Sequence, residues 1–157
     1  MKKRSKYKPK PIRVDVMSYV KLGFSLADEQ PASVDLRIKY HESMRSIVYG
    51  DGDRGDVDVL VNAINMAQAF CKIRPGLGAE FKQDIDAAHD ALLVMAKRGV
   101  KFGHFAFTGP ELQTMNYFMQ IHDAQLSAAT VGEVEQGCAI VRKVLASGKA
   151  TRIHANA

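Results

Sequence analysis

The sequence predicts an all-α protein: a compact bundle of five or six helices ending in an αα-hairpin, preceded by a disordered basic N-terminal arm. Three observations carry this. Apolar residues recur three and four positions apart through most of the chain instead of alternating. Two stretches of the pattern Thr-x-x-Glu, at 108–111 and 130–133, stand one helix length apart, and each reads as a capping box. The positive charge gathers at one end. Lys2, Lys3, Arg4, Lys6, Lys8, Lys10 and Arg13 are seven of the 22 cations, with no acid before Asp15, so the remaining 15 face 17 acids. The arm is therefore assigned to residues 1–13, a single helical domain to 14–149 and a tail to 150–157. With 157 residues, 46% of them hydrophobic, the chain is one domain's worth of sequence with enough apolar content for a core.

Asp15 caps the first helix, whose face is Val14, Met17, Val20 and Phe24, with Gly23 near its end. Residues 27–32 read as a loop. Ser33 then caps a helix through about Val48 that buries Leu36, Tyr40, Met44 and Ile47. In its first half Val34, Leu36, Ile38 and Tyr40 alternate with Asp35, Arg37 and Lys39, which also fits a strand; helix is favoured because no good partner strand exists. Residues 50–55 form a turn. The helix over 56–73 shows Val57, Leu60, Val61, Ile64, Ala67, Phe70 and Cys71 on one face and stops at Arg74-Pro75-Gly76. A further helix over 78–98 carries Phe81, Ile85, Ala88, Leu92 and Met95, with Gly99 closing it. Residues 101–107 break the pattern and read as a short extended connection whose Phe102, Phe105 and Phe107 plug the core.

The last third is the most fully specified. After Thr108, the stripe is Leu112, Met115, Met119, His122, Leu126 and Ala129; after Thr130 it is Val134, Cys138, Val141 and Leu145, with Gly148 at the end. So short a joint predicts antiparallel neighbours.

Several stretches invite a chemical reading and lose it on inspection. Arg98, Gly99, Phe102 and Phe105 match the RNA-binding pattern in which sheet aromatics stack bases, but Val100, Lys101 and Gly103 depart from it and the sheet is missing. Asp51, Asp53, Asp56 and Asp58 crowd together as in a calcium loop, yet Gly55 stands at the fifth position and Asn62 at the twelfth. Those acids read instead as caps for the helix that follows. His41, His89 and His122 each precede a carboxylate, and adjacent helical residues point about 100° apart, so none is a ready dyad. His122 lies on an apolar stripe and, once buried, requires a partner: a backbone carbonyl or a carboxylate of a facing helix. Cys71 and Cys138 fall on buried faces as inert packing, in keeping with a reducing compartment. Met66, Met95, Met115 and Met119 read as pliable core, or alternatively as the lining of an exposed groove. No phosphate-binding loop, dinucleotide fingerprint, nucleophile elbow or zinc-protease motif occurs. No apolar run approaches a membrane span, and no secretion signal is visible.

The opening Lys-Lys-Arg-Ser-Lys-Tyr-Lys-Pro-Lys resembles that of a family of short proteins encoded in prophages of proteobacteria. Asp-Val-Asp-Val-Leu (56–60), Asn-Ala-Ile-Asn-Met (62–66), Asp-Ala-Leu-Leu (90–93) and His-Asp-Ala-Gln-Leu (122–126) belong to the same resemblance. It implies a phage-derived cytoplasmic protein of a bacterium, acting on phage or host machinery, and it assigns no residue a role.

The expectation is a non-enzymatic binding module without metal or cofactor. Its body contacts a protein partner or a second copy, and Lys2, Lys3, Arg4, Lys6, Lys8, Lys10 and Arg13 contact nucleic-acid phosphates while Tyr7 stacks on an unpaired base. One alternative is a phage-encoded inhibitor that grips a host protein, for example in a defence system. Another is a small enzyme built from His122, His41 or His104 with nearby carboxylates.

Overall fold

A computed structural model describes residues 31–148. Within them the chain forms five α-helices and no strand, the all-α bundle expected. They are α1 (Pro31–Tyr49), α2 (Arg54–Ile73), α3 (Lys82–Phe102), α4 (Gly109–Ala128) and α5 (Val131–Ala146), with one 3-10 turn at Ala79–Phe81. The expected helix over 14–24, the basic arm and the tail lie outside the described residues.

The alternating stretch over 34–40 is helical. Pro31 and Ala32 are already helical, so the expected Ser33 cap falls inside α1. Tyr40, Met44 and Ile47 are buried as expected, whereas Leu36 is 41% exposed and outside the core. α2 starts where the acidic stretch ends. Asp53 accepts from the Asp56 amide at 3.0 Å and Asp56 accepts from the Asp53 amide at 3.1 Å, so these acids are caps.

α2 is the centre of the bundle: α1, α3 and α5 all pack on it, and α4 packs chiefly on α3 while also reaching α2. Leu60, Ile64, Ala67 and Phe70 have no exposed surface, and Val57, Ala63, Met66 and Ala69 are nearly as deep. Residues that face three neighbours must be apolar around most of the circumference, and eight of the 20 residues of this helix are buried.

Two expectations about element ends fail. α3 does not close at Gly99 but runs to Phe102, ending at Gly103 in the left-handed conformation (φ 73°) that glycine adopts without strain. Phe102 is consequently 70% exposed on the final turn instead of plugging the core, while Phe105 and Phe107 do pack against it. Gly99 serves a different purpose. A Cβ there would lie 2.1 Å from Phe105 Cδ1, so its bare backbone is the seat of that ring.

The last two helices also differ from the expected pairing. Both capping boxes form, and the joint is only Ala129 and Thr130. Both joint residues are extended, however, which makes a corner instead of a U-turn; α4 lies against α3 and α5 against α2. Each corner is fixed by an arginine that grips the capping glutamate of the next helix. Arg98 donates to both oxygens of Glu111 at 2.9 and 2.6 Å and to Ala106 O at 2.7 Å, while Glu111 also accepts from the Thr108 amide at 2.8 Å. Arg74, at the end of α2, donates to Glu133 and, at 3.1 Å, to Ala128 O. The Arg98 guanidinium and the Thr108 donors hold the Glu111 carboxyl down at about 2.

Replacing Gly99 by alanine raises helix propensity by about 1 kcal/mol but drives a methyl into the Phe105 ring. Gly99→Ala is expected to lower stability by about 1–3 kcal/mol in urea unfolding. In a Phe105→Ala background the same substitution becomes neutral or favourable. An equal loss in both backgrounds would show that the ring is not seated on Gly99.

Candidate binding groove

α1 and α5 flank α2 on two sides without packing along one another, and the gap between them is a groove of about 420 Å³. α1 supplies Leu36, Lys39 and the Tyr40 ring. α2 supplies the floor through Val59, Ala63 and Met66, with Ala63 small enough to leave space. α5 forms the other wall through Cys138, Val141 and Leu145. The lining is overwhelmingly apolar, and two of its residues, Leu36 at 41% and Leu145 at 50%, are exposed despite their size. The rim carries Lys39 and Arg142, which make no ion pair among the described residues.

His122 of α4 closes the inner end. It has no exposed surface and lies parallel to Phe118, with ring centroids 5.7 Å apart and planes 11° apart, beside Tyr40 at 5.1 Å. Its partner is neither a backbone carbonyl nor a carboxylate of a facing helix, as the sequence suggested, but Gln125 one turn on, at 3.3 Å from Nδ1. Gln125 fixes the tautomer. Its amide nitrogen donates to Leu77 O at 2.8 Å and Ala67 O at 3.2 Å, both of which only accept. The Gln125 oxygen therefore faces His122, Nδ1 bears the proton, and Nε2 presents a lone pair. Nε2 is buried without a partner among the described residues. Burial pushes the ring down from 6.5 to about 4, so it is neutral at pH 7.

A second polar cluster sits on the α1–α4 seam. Asp123 Oδ1 accepts from the Tyr40 hydroxyl at 2.5 Å, and the carboxylate lies 3.1 Å from His41 Nε2; Arg37 donates to Ser127 Oγ at 2.8 Å. Burial and the neighbouring Asp123 both raise the Tyr40 phenol. His41 and Asp123 are 49% and 37% exposed and do not line the groove, so the cluster ties α1 to α4 on the surface. His104 is elsewhere, beside Gly50 at the far end of α1, so the three histidines do not converge on one site. His89 meets its neighbour Asp90 at 3.4 Å on an exposed face.

The residues expected to touch nucleic acid, Lys2 to Arg13, lie outside the described residues. Met66, Met95, Met115 and Met119 are all core, and Met66 also lines the groove. Lys39 and Arg142 escaped the sequence reading. Both flank Leu36 and Leu145, which the stripes place on buried faces. No group of three His, Cys, Asp or Glu residues is placed to hold a metal among the described residues, and no described helix is long and apolar enough to cross a membrane. Compared with protein-family models, with curated proteins and with solved structures, the chain matches none of them.

Because His122 in the fold refuses a proton that the unfolded chain accepts below pH 6.5, its contribution is complete above that value and is lost as pH falls toward 4. Glu111 acts lower, between its ordinary 4.5 and about 2. Unfolding free energy measured by urea titration is therefore expected to fall in two stages, and His122→Phe removes the first. An unchanged slope between pH 6.5 and 4 in that variant would show that His122 is not held neutral.

Proposed function

We propose that this chain is a non-enzymatic, phage-derived binding module of the bacterial cytoplasm. Its helical body makes protein contacts or self-associates, and the arm at 1–13 contacts nucleic-acid phosphates. The observation that carries the body's role is the apolar groove, where the lining residues Leu36 and Leu145 are 41% and 50% exposed on α1 and α5. Isolated exposed apolar residues are ordinary; a cluster beside an open apolar groove is characteristic of a contact surface. The arm's role rests on charge: seven cations and no acid before Asp15 can displace counterions from a phosphate backbone, and Tyr7 adds a stacking surface.

Fluorescence anisotropy with labelled single- and double-stranded oligonucleotides tests the arm, comparing the full chain with one lacking residues 1–13. With all seven cations on phosphates, log K falls against log salt with a slope of about −5 to −6. The truncated chain loses that binding. Absence of binding by the full chain at physiological salt overturns the nucleic-acid role and leaves the protein-contact face as the function.

A further inference from the structure

We infer that the groove between α1 and α5 is a docking site for the chain's own residues 14–24, so that the contact surface of the body is regulated from within. This rests on the reading of the groove as that contact surface. Two apolar faces of one chain require cover. One is the trough of about 420 Å³ walled by Leu36, Val141 and Leu145 and floored by Val59 and Ala63. The other is the segment 14–24, in which seven of 11 residues are Val, Met, Leu, Tyr or Phe. A helix this short is marginal alone in water, and one this apolar needs a surface to bury against.

The tether selects the occupant. α1 begins at Pro31, and its contributions to the groove, Leu36, Lys39 and Tyr40, all fall within its first ten residues. That stretch is about 14 Å long, and a helix over 14–24 is about 16 Å. Residues 25–30 join the two, a length within the range of about two to eight found between neighbouring helices of bundles. A short tether holds the segment at an effective concentration of about millimolar, against which any separate partner competes. Charge agrees with the direction. Folded back antiparallel to α1 with Phe24 beside Pro31, the segment sets its one acid, Asp15, level with Tyr40. Lys39 is adjacent there and Arg142 stands on the opposite wall, neither with an ion pair among the described residues.

Cys138 lines the groove and Cys71 does not, so in the full chain carrying Cys71→Ser the alkylation rate of Cys138 measures how often the groove is open. An open state populated to about 10% or less slows that rate about tenfold or more. Val20→Asp with Phe24→Asp, on the docked face, restores fast labelling, whereas Ser18→Asp, on the opposite face, leaves it slow. A second measurement guards against misfolded variants. The chain has no tryptophan, so Met17→Trp gives a single emission, shifted to the blue by docking and returned to that of exposed indole by Leu145→Glu. Equal labelling rates in all three chains overturn the inference, as does an emission that Leu145→Glu leaves unmoved. Protection that grows with protein concentration also overturns it, because a second copy is then the occupant. Sedimentation and crosslinking of the Val20→Asp, Phe24→Asp chain, with and without Leu145→Glu, test separately whether the opened groove makes protein contacts. Docking can therefore fail while the contact reading stands, and the contact reading can fail while docking holds.

Discussion

Everything in this bundle is arranged around the burial of α2. A helix with neighbours on three sides keeps only a narrow polar strip, Asp58, Asn62 and Lys72, while Leu60, Ile64, Ala67 and Phe70 show no surface at all. Burying such side chains contributes about 1.5–3 kcal/mol for each large one, more than any polar contact in the molecule supplies. The alanines at 63, 67 and 69 matter as much as the large residues, because they let neighbouring backbones approach. Where α1 and α5 approach from different sides, Ala63 is also what leaves the groove open. The same constraint that assembles the core therefore creates the cavity.

Directing the other helices onto α2 is work for the corners. In both the α3–α4 and α4–α5 connections the capping glutamate, already accepting from the amide of its N-cap threonine, is also held by an arginine from earlier in the chain. A capping box alone fixes where a helix starts but not its direction. The bidentate Arg98–Glu111 pair adds direction, since a planar fork accepts one approach of the carboxylate. Arg74 does the same while also satisfying Ala128 O at the end of α4. These half-buried pairs are thus devices of geometry more than of stability.

Helix existence was legible in the sequence to the extent that it is a property of local spacing. The stripes through Val57–Phe70 and Met115–Leu126 are the observed core, and Thr108, Thr130 and the acids around Asp53 cap as their residue types suggest. What spacing does not contain is which helix meets which. A two-residue joint reads as a hairpin unless the extended conformation of Ala129 and Thr130 is known. Gly99 reads as a stop because glycine ends helices, yet its missing side chain was there to seat Phe105, a contact made across a turn. Arg74 and Arg98 carry no local sign of their partners, which lie 59 and 13 residues on. The groove was least visible, being formed by residues of helices that fail to pack on one another. Leu36 and Leu145 simply looked like two more members of apolar stripes.

His122 joins the two halves of the molecule's physics. Its ring is core, stacked on Phe118 and covered by Tyr40, and its Nδ1 is satisfied through a glutamine whose other end ties the connection after α2 to α4. Desolvating an acceptor such as Nε2 without a partner costs about 1–3 kcal/mol. A leucine at this place would avoid that cost, although Gln125 would still be needed as the donor to Leu77 O. The departure from an all-apolar core lies behind the groove lined by α1, α2 and α5, with Nε2 itself sealed from solvent. What this departure supplies is order: Leu77 and Ala67 fix Gln125, and Gln125 fixes the tautomer of His122.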